Sequence, residues 1–427
     1  MSITVNSTPQ QFQPVYNPYN IVMSSTNSGE TNFKIICAVY DTTDTGNSTL
    51  VGSFKYPTDT NGYVKADLTR ILRDYVTHDF ELGLALSSDC PNSIKRFTVY
   101  TQESFGTPPS ATGTIVTVGD ATETDSLFVW NGAIPFDSFA TYTKNDYILK
   151  YSNYSTNKYL TNADIDTGLD MSTNQNGYVH ILLENLDNVN VPISLIDYIK
   201  IKTYNSAGTL LGTWKVNTDY TTSFNTTTGY HVRIPVGTYN ISQIGSLDLQ
   251  SGALPILTAS VDYYTVQVGH DTYGDGYPIR VNIVEYCNSP QVFRLHWLNR
   301  KGGFDSFNFE MYNTQSIGIE RKTFKKPYGT VTSGTWSYSA SDRLTTTMLT
   351  TSKRNYRIVS NWISEDEAVW LEELLTSPVV FWEVDYQTLK AINILDNAYE
   401  VKYSHKDKVF NIELTFEETF DYTSQTY

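Results

Sequence analysis

The segment QVFRLHWLNRKGGFDSFNFEM (residues 291–311) places two runs of strand-forming residues on either side of a glycine pair. Val292–Leu298 and Phe304–Met311 are rich in aromatic and aliphatic side chains, while Asn299 to Gly303 is a turn-forming string. This arrangement predicts a β-hairpin. The whole chain has a matching bias, because it contains 32 tyrosines and is rich in threonine, and both residue types favour strands.

One helix is predicted close to this hairpin. Ser364 precedes three acidic residues, so that Ser364 at the N-cap and Glu367 at the third helical position form a capping box. The acidic first turn suits the helix dipole, and Pro378 ends the helix. The apolar face of this helix is predicted to consist of Ala368, Leu371, Leu374 and Leu375.

With 427 residues the chain is too long for one compact core, and two or three domains are expected. The spacing of strands and turn signals predicts a mainly β protein of several sandwich domains, immunoglobulin- or fibronectin III-like, followed by an α+β domain that carries the capped helix. The predicted parts are an extended proline-bearing arm (1–20), a β-sandwich with one short helix (21–104), a linker (105–125), a β-sandwich or barrel (126–290) and an α+β assembly domain (291–427).

The net charge of −15 argues against general nucleic-acid binding and against attraction to an anionic membrane, since both depend on lysine and arginine. Residues 1–290 carry a net charge of −12 and residues 291–427 only −3, so repulsion from an acidic partner is weakest in the C-terminal part. The sequence has no apparent signal peptide and no apolar run long enough for a membrane helix. The expectation is a protein made in the reducing cytoplasm.

No catalytic motif is recognisable, and neither an enzyme, a cofactor nor a metal centre is predicted. Three distant cysteines without a CxxC pair do not indicate a disulfide framework or a zinc site, and no two of the six histidines have ligand spacing. Glu383 and Asp385 share a strand face, but no sugar cleft accompanies them. Two aspartate-bearing turns are weak calcium candidates, although ordinary turns explain them better: Asp271 with Asp275, and Asp164 with Asp166 and Asp170.

The candidate functional surface is an interface in the C-terminal domain. Its basic string, RKTFKK at residues 321–326, could meet an acidic neighbour, although a solvated face is the commoner role of such a string. Trp370 and Trp382 also fall in this domain and are expected to form its core. The predicted interface residues are Trp297, Arg300, Lys301, Phe304, Phe307, Arg321, Lys322, Lys325 and Lys326.

Several segments resemble virion structural proteins of tailed phages that infect Bacteroidetes, crAss-like phages included. They are FQPVYNPYNIVMSSTNSGETNFKIICAVYD with YVKADLTRILRDYV, then LFVWNGAIPFDSFATYTKNDYIL, FRLHWLNRKGGFDSFNFEM and WISEDEAVWLEELLTSPVVFWEVD with KVFNIELTFEET. Together they cover about half of the chain in the same order, and none is a catalytic signature.

The resemblance implies a tail, collar or baseplate component built from β-sandwich domains, which forms rings with copies of itself and contacts other tail or portal proteins of the virion. It implies no catalytic residue, no membrane partner and no sequence-specific nucleic acid. A receptor- or glycan-binding tail or baseplate protein is the alternative, with a host glycan as its partner. A polysaccharide depolymerase is a third class, but the sequence shows neither a repeat typical of a β-helix nor a convincing carboxylate pair.

Overall fold

A computed structural model describes residues 3–43, 47–83, 86–118, 126–183, 196–218, 231–286, 291–396 and 409–423. Strands dominate these residues and form several sheets, whereas helices are few and mostly short. The prediction of a mainly β, multi-sheet protein of sandwich-like architecture is therefore confirmed. An immunoglobulin- or fibronectin-like topology stays a prediction.

The chain divides into two compact units. Unit 1 comprises Met1–Glu285, Leu298–Ser306 and Asp385–Gln387, and unit 2 comprises Tyr286–Trp297, Phe307–Val384 and Thr388–Tyr427. The predicted start of the C-terminal domain at residue 291 lies close to the start of unit 2. The two sandwich domains predicted within residues 21–290 belong to one unit.

Unit 1 contains twenty strands and three short helices in its described part. The strands are β1 (Ile3–Ser7), β2 (Phe12–Pro14), β3 (Asn20–Ser25), β4 (Lys34–Asp41), β5 (Thr49–Pro57), β6 (Tyr63–Asp67), β7 (Ser88–Asp89), β8 (Ile94–Phe105), β9 (Ser110–Val118), β10 (Leu127–Trp130), β11 (Ile148–Leu149), β12 (Leu169–Met171), β13 (Tyr178–Leu183), β14 (Tyr198–Tyr204), β15 (Leu210–Asn217), β16 (His231–Pro235), β17 (Leu249–Ser251), β18 (Tyr263–His270), β19 (Gly274–Asp275) and β20 (Ile279–Ile283). The helices are α1 (Thr69–Arg73), α2 (Phe136–Phe139) and α3 (Thr238–Ser242), and 3-10 turns lie at Lys144–Asp146, Tyr151–Asn153 and Ser246–Asp248.

These strands form four sheets: β1-β3-β6; β2-β10-β8-β4-β5 with β9 on β8; β11-β13-β16-β7; and β12-β20-β18-β14-β15-β17 with β19 on β18. Alternate residues of β4 and β6 are buried, which is the period-two pattern of a strand with one face on a core. Every residue of β13 and β16 is buried, so both faces of these strands are covered.

The N-terminal segment, expected to be an extended arm, is part of the sheets of unit 1. Strand β1 pairs with β3, and β2 pairs in parallel with β10. Phe12 is buried and stacks on Phe128 with the ring centroids 4.6 Å apart. Pro14 is the last residue of β2, where a missing N–H donor is tolerated. Apolar burial thus holds the segment in place although it carries three prolines.

Unit 2 contains the remaining strands and the longest helix, with the hairpin tip (298–306) counted in unit 1. They are β21 (Phe293–Leu298), β22 (Phe304–Phe309), β23 (Tyr312–Lys325), β24 (Thr330–Thr332), β25 (Thr335–Ser337), β26 (Thr345–Val359), β27 (Ile363–Ser364), α4 (Glu365–Thr376), β28 (Val380–Asp385), β29 (Thr388–Ile394), β30 (Val409–Phe410), β31 (Glu413–Glu418) and β32 (Tyr422–Thr423). The predicted hairpin is confirmed, because β21 and β22 are hydrogen-bonded neighbours joined at the glycine pair.

The main sheet of unit 2 has the order β22-β21-β28-β29-β31-β26-β23, with β32 on β26. An aromatic cluster of Phe293, Tyr356, Trp382 and Phe416 packs in this sheet with ring centroids 4.8 to 6.0 Å apart. All four side chains are buried. This cluster is the core of the sheet.

Helix α4 begins as predicted. The Ser364 hydroxyl accepts a hydrogen bond from the Glu367 N–H, and the Glu367 carboxylate accepts one from the Ser364 N–H at 2.8 Å. Ala368, Leu371 and Leu374 are buried. No helix in the described part of the chain is long and apolar enough to cross a membrane.

Candidate functional site

The two-stranded part of the β23–β26 hairpin is a highly exposed piece of regular structure. Strands β23 and β26 are paired from Tyr312, which lies opposite Val359, to Lys325, which lies opposite Thr345. Among the described strands β23 has no second neighbour, and β26 has one only at residues 351–352 and 355–359. Residues 320–350 therefore extend beyond the sheet, and we call them the ribbon.

Both faces of the ribbon are open. Every β23 residue from Thr314 onward is exposed, whereas a strand with one covered face alternates between buried and exposed residues. The opposite strand is less open, because Thr346 is buried and Thr347, Leu349 and Thr350 are partly buried. Large apolar side chains are exposed along the whole ribbon, namely Phe324, Tyr328, Val331, Trp336, Tyr338, Leu344 and Met348.

The tip of the ribbon is a smaller hairpin with an aromatic cluster. Strands β24 and β25 are joined through Ser333 and Gly334, which both have positive φ (52° and 81°), as a type I′ turn requires. The rings of Tyr328, Trp336 and Tyr338 lie with centroids 5.0 to 5.9 Å apart. The Trp336 indole N–H donates to the Tyr328 carbonyl at 3.2 Å. The cluster is ordered by local contacts and still leaves these rings exposed.

The ribbon is positively charged in an acidic chain. It carries five basic and two acidic residues, a net charge of +3, against −15 for the whole chain. Arg321, Lys322 and Lys325 are exposed and have no ion-pair partner among the described residues. At the sheet end of the hairpin the cations are paired instead, Lys353 with Glu417 at 3.0 Å and Arg357 with Glu413.

The predicted interface residues belong to different elements and differ in exposure. Arg321, Lys322, Lys325 and the partly buried Lys326 lie on the ribbon. Trp297 and Phe304 are buried within the chain and Phe307 is partly buried, so the aromatic residues of the predicted set pack inside the protein.

Arg300 and Lys301 occupy the turn of the β21–β22 hairpin. The Arg300 carbonyl accepts a hydrogen bond from the Ala133 N–H, and the Lys301 ammonium donates to the Thr161 carbonyl at 2.6 Å. Both residues are thus engaged within unit 1. Trp370 and Trp382 are buried, as expected for core residues.

The calcium candidates do not form a cage among the described residues. Asp275 binds the Lys200 ammonium at 2.6 Å and the Tyr198 hydroxyl at 3.0 Å. Asp164 accepts from the backbone and hydroxyl of Thr167, while Asp166 and Asp170 accept from Tyr277 and Asn282. These carboxylates serve turns and strand contacts, which agrees with the turn interpretation of both segments.

Glu383 belongs to a buried polar network rather than to a cleft. It lies opposite Arg294 in the β21–β28 pair, and its Oε2 is 3.4 Å from the Arg294 Nε and 2.7 Å from the His296 Nε2. The Arg294 guanidinium also donates to Asn308 at 3.0 Å. Burial lowers the pKa of His296 in spite of the neighbouring carboxylate. The ion pair of Arg294 and Glu383 balances charge inside the sheet.

A second buried cluster was not indicated by the sequence. Cys90, His180 and His231 are fully buried in unit 1, and their sulfur and ring nitrogens lie within 4.8 Å of one another. His180 Nδ1 is 3.2 Å from His231 Nε2 and 3.9 Å from the Cys90 sulfur. It is the one group of three or more histidine, cysteine or acidic side chains with converging ligand atoms among the described residues. These residues are separated by up to 141 positions, so motif spacing could not reveal them.

Comparison with known proteins adds no assignment for these features. No family model matches the chain, and no curated protein is significantly similar to it.

Proposed function

We propose that the chain is a non-enzymatic structural protein of a phage virion, a ring-forming component of the tail or collar near the head–tail connection. The ribbon is the observation that carries this proposal. An isolated two-stranded hairpin is marginally stable in water, and it gains stability when a further strand or surface covers it. Exposed apolar side chains along its length favour an assembled partner.

The charge of the ribbon favours a second copy of the same chain as that partner. The ribbon carries +3, and the rest of the chain therefore carries −18. The positive ribbon of one copy is attracted to the acidic remainder of another copy. Such complementary charge steers association and fixes the geometry of the contact. Arg321, Lys322 and Lys325 are among the exposed cations that the described ion pairs leave available for this contact.

Docking of a ribbon on a different surface of the next copy is a head-to-tail contact. Such contacts repeat around an axis, and they produce a closed ring when the rotation between copies closes. A ring is the form that a tail or collar component needs. The resemblance to phage virion proteins supports the same function and adds other tail or portal proteins as further neighbours.

Native mass spectrometry and negative-stain imaging over a concentration series test this proposal. We expect rings of one copy number that assemble as the concentration rises. The variant Lys322→Glu/Lys325→Glu should weaken self-association at least about tenfold, because like-charge contacts cost several kcal/mol and 1.4 kcal/mol corresponds to a factor of ten.

The matched control is Lys55→Glu/Lys65→Glu, which changes net charge equally at two exposed lysines of unit 1. This control should assemble like the wild type. Wild-type protein that remains monomeric at every concentration, or rings that persist unchanged in the ribbon variant, would count against assembly through the ribbon. Labelling of purified phage particles with an antibody against the chain tests the virion part of the proposal, with label expected at the neck or tail.

The aromatic tip favours one alternative, a receptor- or glycan-binding tail protein. Exposed Tyr and Trp rings provide large contact area at small entropic cost. In that case Trp336→Ala should abolish binding of the protein to host cells and leave its oligomeric state unchanged. Under the assembly proposal the same substitution weakens self-association.

A further inference from the structure

We propose that Cys90, His180 and His231 form a buried binding site for a zinc-class metal ion, with the Cys90 sulfur, His180 Nδ1 and His231 Nε2 as ligands. A thiolate and imidazoles are the ligand set that zinc prefers among the divalent ions of proteins. The site lies wholly in unit 1 and is independent of the ribbon and its proposed function.

Sheet register brings the three ligands together. In the β13–β16 pair His180 lies opposite Arg233, and His231 is two residues from Arg233, so both histidines lie on one face and are diagonal neighbours. Cys90 directly follows β7, and its N–H donates to the His231 carbonyl at 2.9 Å. Strands β13 and β16 and the residue that follows β7 thus each supply one ligand to the same place.

Two of the three ligand separations are close to the edges of a tetrahedron, and the third, between His231 and Cys90, is at most 4.8 Å. Zinc–nitrogen bonds of about 2.0–2.1 Å and zinc–sulfur bonds of about 2.3 Å give nitrogen–nitrogen and nitrogen–sulfur edges of about 3.3 and 3.6 Å. The corresponding separations are 3.2 Å between the two histidines and 3.9 Å between His180 and Cys90. Three protein ligands leave the fourth position to a water molecule.

The ring nitrogens support ligation. Burial lowers the pKa of His180 well below its usual value, and burial lowers that of His231 to about 4, so both rings are neutral and able to coordinate at neutral pH. The other ring nitrogens, His180 Nε2 and His231 Nδ1, are buried and take no part in the proposed ligation.

The thiol must lose its proton when the metal binds. Burial raises the pKa of Cys90 to about 12, so that the free thiol is protonated at neutral pH. Formation of the metal–sulfur bond releases this proton to solvent. Arg233 favours the thiolate, although its charge also opposes a dication; Asp79 and Asp89 nearby offset that opposition.

Metal analysis of the full-length protein, purified without chelator from zinc-containing medium, tests the site. We expect about one zinc per chain in the wild type and its loss in Cys90→Ser and in His231→Gln. The variant Cys37→Ser removes another buried thiol, on β4, and should retain the metal. Full metal retention in Cys90→Ser would overturn the proposal.

Cobalt spectroscopy keeps the test decisive if the cluster variants do not fold. The sequence has three cysteines, so in Cys37→Ser/Cys287→Ser the only thiol is that of Cys90. After loading with Co²⁺, this variant should show a thiolate-to-cobalt charge-transfer band and the visible bands of a tetrahedral ion. A wild-type protein that holds no metal and a variant that gives no such band would contradict the proposal.

Discussion

Strand β26 passes through two environments within fifteen residues. At its C-terminal end Tyr356 and Ile358 are buried in the sheet core, and β31 lies alongside. At its N-terminal end the strand belongs to the ribbon, where Met348 is 62% exposed and β23 is the one neighbour of β26 among the described strands. The sheet end is stabilised by apolar packing inside the chain, whereas the ribbon leaves apolar and cationic side chains exposed.

Two phenylalanines of this sheet give the largest contrast. Phe416 is fully buried in the aromatic cluster, and Phe416→Ala should lower the free energy of unfolding by about 3–5 kcal/mol through lost packing and a residual cavity. Phe324 lies on the ribbon and is 42% exposed, and Phe324→Ala should cost less than about 1 kcal/mol. Urea denaturation measures both. Equal losses would show that the ribbon packs within the chain.

Two carboxylates give the next contrast. Glu383→Gln removes the carboxylate that pairs with the buried Arg294 guanidinium. We expect the free energy of unfolding to fall by about 3 kcal/mol. This value is at the lower end for buried ion pairs, because Asn308 still accepts a hydrogen bond from Arg294. Glu413→Gln removes the partner of Arg357, an ion pair of two exposed side chains on β31 and β26, and should hardly change the denaturation midpoint. A negligible effect at Glu383 would contradict the charge balance assigned to the buried network.

The interior of unit 1 and the ribbon should respond differently to a decrease in pH. The folded-state pKa of His231 is about 4, below its unfolded value of about 6.5, so between these values the unfolded state binds more protons. Stability should therefore fall as the pH decreases from 6.5 toward 4, by roughly 1 kcal/mol per pH unit from this group, and His180 acts in the same direction.

The ribbon contains no histidine, so its charge and its contribution to self-association should persist over this range. Denaturation and sedimentation at pH 7 and 5.5, in the presence of chelator, check both expectations. In His231→Gln the pH slope should be shallower. An unchanged slope would show that acid destabilises the protein elsewhere.

The smallest expected effect on stability is that of Trp336→Ala. The indole is half exposed at the tip, and its removal should change the unfolding free energy by no more than about 0.5 kcal/mol. Tryptophans at the centre of interfaces commonly contribute about 2 kcal/mol or more to binding, so self-association should weaken clearly. Analytical ultracentrifugation compares the variant with wild type. A large loss of unfolding free energy with unchanged self-association would show that Trp336 stabilises the fold and does not contribute to the contact between copies.

The sequence correctly predicted the elements that are determined by a few neighbouring residues. The Gly302–Gly303 turn and the Ser364–Glu367 capping box each act over a few residues, and both elements form as expected. The N-terminal segment was predicted incorrectly as an arm, because its prolines are local signals while the partner of Phe12 is Phe128, far along the chain. Burial against a distant strand decided that case.

The candidate sites depended still more on non-local structure. The basic string at residues 321–326 marked the ribbon, but its sequence could not reveal that β23 has a single neighbour among the strands that the structure describes. Trp297 resembles an interface aromatic in sequence and is buried in the fold. Cys90, His180 and His231 meet only through the register of three strands, and no spacing rule connects them.

Intermolecular cross-linking of the assembled protein tests the central claim most directly. A zero-length carbodiimide reaction on a mixture of isotopically light and heavy copies joins lysines to carboxylates that are in contact. The account predicts mixed light–heavy peptides that link Lys322 or Lys325 to aspartates or glutamates of residues 1–285. Intact rings whose intermolecular links omit the ribbon lysines would contradict it.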